Sequence, residues 1–219
     1  MDNLVLTGFA WAPPFAQGLI RDLRVRWALA EADLPYAVDL IAIEDRKSAE
    51  YRCRQPFAMV PAFAMDGHRL FESGAVVHLV AEKSEALMPA DPAERAETIV
   101  WMYAALNTVE PPVANLFAID VTSRDQEWAK LRRPSVAETV GDRLAVLSDR
   151  LAERDYLLGR FTAADILMAT VLRFLRDTGV LSEYPIVAAY LERCEARPAF
   201  RKALAQQMAN FAENEPVAA

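Results

Sequence analysis

Cysteine, histidine, glycine and surplus positive charge are all in short supply in this 219-residue chain, and each shortage removes a class of function. The two cysteines, Cys53 and Cys194, stand far apart with no Cys-x-x-Cys spacing, so neither a disulfide framework nor dithiol chemistry is expected. A reducing cytoplasm is the natural compartment. The two histidines, His68 and His78, have no acidic cluster around them, and no metal is expected. Seven glycines, no biased tract and no internal repeat leave nothing for a fibrous or disordered reading. No apolar run reaches the ~20 residues that cross a bilayer. The stretch from Leu4 to Ala16 is broken by Gly8, Pro13 and Pro14, and Met1-Asp2-Asn3 carries no positive charge, so the start does not read as a signal peptide. With 24 Lys and Arg against 31 Asp and Glu, the net charge of -7 argues against nucleic acid or an anionic membrane as partner. The short basic clusters, Arg21, Arg24 and Arg26, then Arg132-Arg133, read as solvated helix faces and ion pairs.

Hydrophobic residues make up 53% of the chain, enough for a substantial core or two modest ones. Leu4 to Phe9 reads as a buried strand ended by Trp11-Ala12-Pro13-Pro14. From about Phe15 to Ala32, Leu19, Leu23, Trp27 and Ala30 recur at helical spacing with arginines between them, one face packed and the other wet. Tyr36 to Ile43 reads as a second strand, Asp45 to Cys53 as a short helix, and Val60 to Phe71 as a hairpin turning at Asp66-Gly67. A helix opens at Glu72-Ser73, completing a β-α-β-α-β-β-α order. The proline-containing, aperiodic stretch 84–92 is the expected linker between an α/β domain over 1–83 and an all-α helical bundle over 93–219. In the second part Pro111-Pro112 should bend or end the first helix, and a long amphipathic helix is expected after Pro134. Thr162 and Asp165 have the spacing of a capping box, read as structural.

The element order is thioredoxin-like, and particular residues narrow it. Gln55-Pro56-Phe57-Ala58-Met59-Val60-Pro61 resembles the Asn-Pro-x-Gly-x-Val-Pro stretch of cytosolic glutathione transferases. Glu72-Ser73-Gly74-Ala75-Val76 resembles their Glu-Ser-x-Ala-Ile, and Thr162-Ala163-Ala164-Asp165-Ile166 their Ser-x-Ala-Asp-Ile. Arg24-Val25-Arg26 with Leu29 fits the first helix, and Pro92, Arg95 and Trp101 the opening of the second domain. The resemblance runs from about Leu4 to Phe200 and is to an atypical, bacterial-type member of the superfamily. It implies glutathione as cosubstrate, a cis Val60-Pro61 bond that turns the Val60 amide and carbonyl toward the tripeptide's backbone, and Glu72 and Ser73 holding its γ-glutamyl amine and carboxylate. Taken alone, Val60-Pro61 is equally an edge-strand proline, and Ser73 an ordinary helix start.

The family activates the glutathione thiol with a serine, tyrosine or cysteine near the first strand-helix junction, and no such residue is evident here. Thr7 is the only serine or threonine between Leu4 and Lys47, and the chain between Leu6 and Val25 is several residues longer than usual. Arg21 by its charge, Gln17 by its amide and Trp11 by its indole N–H are the candidate thiolate stabilisers. Each also has a plain structural role open to it. Tyr103 and Asn107 are candidates for the pocket of a small hydrophobic electrophile, with Leu106 and Glu110 on the same helix. Ala58 and Met59 replace the more usual Gly and Lys, which removes a contact to the glycyl carboxylate. Three functions stay open: conjugation of glutathione to such an electrophile, a glutathione-dependent isomerase or lyase, and a non-catalytic binding protein that kept the fold. The resemblance also implies a homodimer.

Overall fold

The computed structural model describes residues 4–216, so Met1-Asp2-Asn3 lies outside the described residues. The chain divides into two compact units, Met1–Leu87 with Pro198–Ala219, and Met88–Arg197.

The first unit is built on a four-stranded sheet with the order β2-β1-β3-β4. β1 (Val5–Phe9) pairs in parallel with β2 (Ala37–Ile41), and β3 (Ala62–Met65) runs antiparallel to both β1 and β4 (His68–Phe71). The parallel pair needs a crossover, which α1 (Asp22–Glu31) supplies, and α2 (Ala49–Arg52) and α3 (Ser73–Ala81) complete the thioredoxin-like order. α9 (Pro198–Glu213) also belongs to this unit, whereas the sequence pattern alone groups it with the other helices. It packs along α1, with the edge of the Trp27 ring on Phe200 at 4.8 Å.

The helix expected from Phe15 starts only at Asp22. Pro14–Ala16 form a single 3-10 turn, Gln17 is extended, and Gly18 takes φ +73°, a conformation that a helix cannot continue through. Leu19 is still buried, so its apolar spacing continued across a backbone that is not helical. Nor does α1 have a wet face. Every residue from Asp22 to Leu29 is buried, including Arg24 and Arg26, because β1, α3 and α9 enclose the helix.

Charges buried this deeply must be paired. Arg26 Nε donates to Asp22 Oδ2 at 2.7 Å and its Nη2 to Asn210 Oδ1 at 3.0 Å. Gln207 Nε2 donates to Asp22 Oδ1 at 2.6 Å and to the Ile20 carbonyl at 3.2 Å. Burial pushes the Asp22 carboxyl above the usual carboxylate range, with Arg26 and Gln207 pulling the other way. Gly8 on β1 makes room for the pair. A Cβ there would lie 3.0 Å from Asp22 Oδ2 and 3.4 Å from Arg26 Nη2. Since hydrogen bonds hold that carboxylate on both oxygens, Gly8→Ala is expected to cost ~1–3 kcal/mol, read from urea denaturation.

The second unit is all helical. α4 (Pro92–Tyr103) and α5 (Glu110–Phe117) are joined by a π turn over Ala104–Val109, and a second π turn covers Ala118–Thr122. Pro111 and Pro112 stand in the first turn of α5 directly after the π turn, and the chain passes from that turn into α5 with helical dihedrals, so the prolines do not end the helix. α6 (Glu127–Leu151) begins ahead of Pro134 and carries it in its interior. The carbonyl freed by the proline belongs to Lys130, an exposed residue that can give it to water. α7 (Ala163–Leu172) is buried along its whole length against α4, α5 and α8 (Pro185–Glu195).

Its start is the expected capping box, with an addition. Asp165 Oδ2 accepts from the Thr162 amide at 2.8 Å and its hydroxyl at 3.2 Å, while Oδ1 accepts from the Leu157 amide at 3.0 Å and the Tyr190 hydroxyl at 2.9 Å. One fully buried carboxylate thereby ties the loop before α7 to α8.

Candidate functional site

The Val60-Pro61 peptide bond is cis, and it comes just where the sheet stops pairing. The last β1–β3 pair is Thr7 with Ala62, so the Val60 amide and carbonyl lie beyond the ladder. Val60 and Pro61 are themselves buried. Val60 packs with Tyr51 and Ala62, and Phe9, Ile20 and Ile41 close around that cluster.

Two side chains shape the approach to this turn. The Gln55 Oε1 accepts from the amides of Phe57 at 2.8 Å and Met59 at 3.2 Å, standing in for a turn's own backbone bonds. Tyr51 donates its hydroxyl to the Met59 carbonyl at 2.7 Å. Burial pushes the Tyr51 pKa up to about 12, so the proton in that bond stays in place across the ordinary pH range. Between them Ala58 is held at φ +56°, a region that favours glycine. The left-handed conformation costs a residue with a Cβ ~1–2 kcal/mol, and the freer unfolded chain of a glycine variant offsets ~0.5–1 kcal/mol of the relief. Ala58→Gly is therefore expected to gain ~0.5–1 kcal/mol, a rise of about 1–4 °C in Tm by calorimetry.

Ser73 is the first residue of α3 and is buried, with Glu72 exposed beside it at φ +67°. Strained backbone of this kind persists where surrounding structure holds it and is concentrated at binding sites. The Ser73 Oγ accepts from Arg24 Nη1 at 3.2 Å, which leaves the serine's own proton to donate. A hydroxyl proton, the free amides of a nine-residue helix's first turn and a buried guanidinium behind them form an environment for a carboxylate.

From sequence, Arg24 belongs to a basic cluster expected on a solvated helix face and to the Arg24-Val25-Arg26 match with the family's first helix, and neither feature points to Ser73.

The three candidate thiolate stabilisers all fall in the segment between β1 and α1. Trp11 is half-buried ahead of the 3-10 turn, and Arg21 is half-buried at the start of α1. Gln17 donates its amide to the Ala12 carbonyl at 3.0 Å, bracing the segment across its bend. Phe9 at one end and Ile20 at the other both pack on the Val60 cluster, which brings this segment to the cis-proline turn. In the second unit, Tyr103 is 57% exposed at the end of α4 and Asn107 is exposed in the π turn. They are four residues apart and belong to no core stripe. Leu106 is half-buried and Glu110 buried.

A thioredoxin-like unit with a cis-proline turn, continued by a helical unit, defines the class. Within it, the N-terminal-domain model of glutathione S-transferase matches residues 16–82, and the C-terminal-domain model matches residues 121–198. The chain is 31% identical over 195 residues to a glutathione S-transferase of Hyoscyamus muticus, covering 83% of this chain and 92% of that one. It is 30% identical over 191 residues to maleylacetoacetate isomerase of Rhizobium meliloti (strain 1021), covering 82% and 89%. A glutathione transferase from Burkholderia graminis, solved with two glutathione molecules bound per subunit, matches with a TM-score of 0.81 at 26% identity, over 92% of this chain and 87% of that one. This chain belongs to the glutathione S-transferase family.

Proposed function

We propose that this protein binds glutathione along Val60, Pro61, Glu72 and Ser73 and transfers its thiolate to a small hydrophobic electrophile. The observation that carries the reading is the Val60 amide and carbonyl lying beyond the sheet ladder, in the same unit as a buried Ser73 backed by Arg24. An extended peptide adds to such an edge by main-chain hydrogen bonds, and its carboxylate finds donors at the start of α3. The glutathione-bound relative from Burkholderia graminis supports the same choice of ligand.

Binding is tested by retention on immobilised glutathione and by a thermal shift. Glutathione at 100 times its dissociation constant adds ~2.7 kcal/mol of stability, or a Tm rise of about 5–10 °C for a chain of this size. No retention and no shift at millimolar glutathione would end the proposal.

Trp11, Gln17 and Arg21 are the residues from which the thiolate would draw its stabilisation, without the family's serine, tyrosine or cysteine. Gln17, already bonded to Ala12, is the one whose replacement also loosens the segment. Tyr103 and Asn107, exposed in the helical unit, are offered as the electrophile's contacts. No helix among the described residues is long and apolar enough to cross a membrane. Cys53 and Cys194 are free thiols, which fits a reducing cytoplasm as the compartment we propose. Phe57 and Phe71 stand exposed with ring centroids 6.0 Å apart, an apolar pair that favours a homodimer. Its mass in solution by light scattering decides that.

Likeness to maleylacetoacetate isomerase favours a second reaction on the same site, isomerisation with glutathione returned unchanged. Incubation with maleylacetoacetate and catalytic glutathione separates the two: loss of thiol titre marks conjugation, a new isomer with thiol conserved marks isomerisation.

A further inference from the structure

The π turn over Ala118–Thr122 borders a cavity of about 370 Å³ in the second unit, lined also by the first turns of α6 and by Asp177 and Thr178 after α7. The volume is that of a small-molecule site. Single π turns between α-helices often mark functional positions.

Three cations and two acids line it, and the bonds already made separate the committed groups from the rest. Asp120, in the π turn, is the hub. Its two carboxylate oxygens accept from Arg133, Nε at 2.7 Å and Nη2 at 2.9 Å, and its backbone carbonyl accepts from Arg124 Nε at 2.9 Å. The Arg133 Nη2 also reaches the Thr178 carbonyl at 3.5 Å. Two arginines are thereby anchored on one residue, and both Nη groups of Arg124 and the Nη1 of Arg133 are left to donate. The second acid, Asp177, pairs with Arg176 outside the lining, Nε to Oδ2 at 3.2 Å. No carboxylate among the described residues pairs with Lys130. An apolar wall is missing: Ile119 and Ala129, the two apolar residues of the lining, are 2% and 1% exposed. The cavity therefore offers donors and positive charge, and nothing on which a carbon skeleton could rest.

We propose that this cavity binds a small soluble phosphate monoester, its dianion held by the Arg124 guanidinium and the Lys130 ammonium, with the Arg133 Nη1 as a further donor. A guanidinium presents paired N–H groups that match phosphate oxygens, and an ammonium adds a point charge. The chain's net charge of -7 disfavours a phospholipid surface as the source of the phosphate. These residues lie in the second unit and Val60 and Ser73 in the first, so the inference does not rest on the glutathione reading.

The test is calorimetric titration of the full chain with glycerol 3-phosphate and, in parallel, glycerol, at 0.15 M salt so that charges more than about 8 Å away are screened. The phosphate ester is expected to bind and glycerol to give no heat, and inorganic phosphate should compete because the phosphate group makes the contacts. Lys130→Ala and Arg124→Ala, both at exposed positions, should each weaken binding about five- to tenfold with an unchanged Tm, and the double variant should abolish it. Arg132→Ala is the control. It removes the same charge from the same stretch of α6 at a residue outside the lining, and should leave the affinity within twofold. Absence of binding at millimolar glycerol 3-phosphate overturns the proposal, as do equal heats from glycerol, failure of inorganic phosphate to compete, binding that survives the double variant, or a loss in Arg132→Ala as large as that in Lys130→Ala.

Discussion

Asp165→Ala is expected to lower the unfolding free energy by ~3–5 kcal/mol, the largest loss of any single substitution considered for this protein. The carboxylate accepts from two amides, a threonine hydroxyl and a tyrosine hydroxyl, in a place no water reaches. Removing it strands four buried donors at once. Because they come from the loop before α7, from the helix cap itself and from α8, the loss is felt as slackening between elements as well as fraying of one helix. The expected drop in Tm is on the order of 10 °C, and urea denaturation gives the free energy directly. Asp165→Asn keeps the volume and one good acceptor and should lose less. A cost below ~1 kcal/mol for the alanine variant would mean that the donors find other partners and that the carboxylate does not hold the loop, the cap and α8 together.

Ser73→Ala is expected to weaken glutathione binding about 10- to 100-fold, the range for losing a hydrogen bond to a charged group. Its control lies in Arg24. The variant also deprives the Arg24 Nη1 of its acceptor, so a stability loss of ~1 kcal/mol should accompany the loss of affinity. Ser73→Thr keeps the hydroxyl in both roles and should restore most of each. Calorimetric titration of the three proteins distinguishes the cases: affinity that falls with Ala and returns with Thr places the hydroxyl on the ligand. Unchanged affinity in the alanine variant would leave Ser73 as a helix start and nothing more.

The parts of this fold that were legible in the sequence are those written in local chemistry. A strand led in by Val60-Pro61, an Asp66-Gly67 hairpin turn and a threonine three residues before Asp165 each carry their geometry within a few positions. What could not be read is where distant chain supplies the partner. Charge on a helix ordinarily means solvent, so Arg24 and Arg26 read as a wet face. The groups that let Arg26 go dry, Asn210 and the Asp22 that Gln207 also holds, depend on chain more than 180 residues further on. The same distance hides α9's membership of the first unit, since its own apolar spacing fits a bundle equally well. The start of α1 is hidden for a different reason: Leu19 buries its side chain from a turn as well as it would from a helix. In the candidate site, Val60 and Ser73 announce themselves by residue type, while Arg24 and Gln55 do so only through the bonds they make.

The break at Gly18 bears on how this family member can tolerate change. Side chains on α1 are committed in two directions, Arg24 to Ser73 and Arg26 to α9, so gaining or losing one residue between them would turn one through about 100° relative to the other. Upstream of the left-handed glycine no such gearing exists. Residues added between Phe9 and Gly18 lengthen a connection that is already irregular and leave the rotation of α1 untouched. The segment carrying Trp11 and Gln17 can accordingly vary in length and chemistry while the binding face behind it stays fixed.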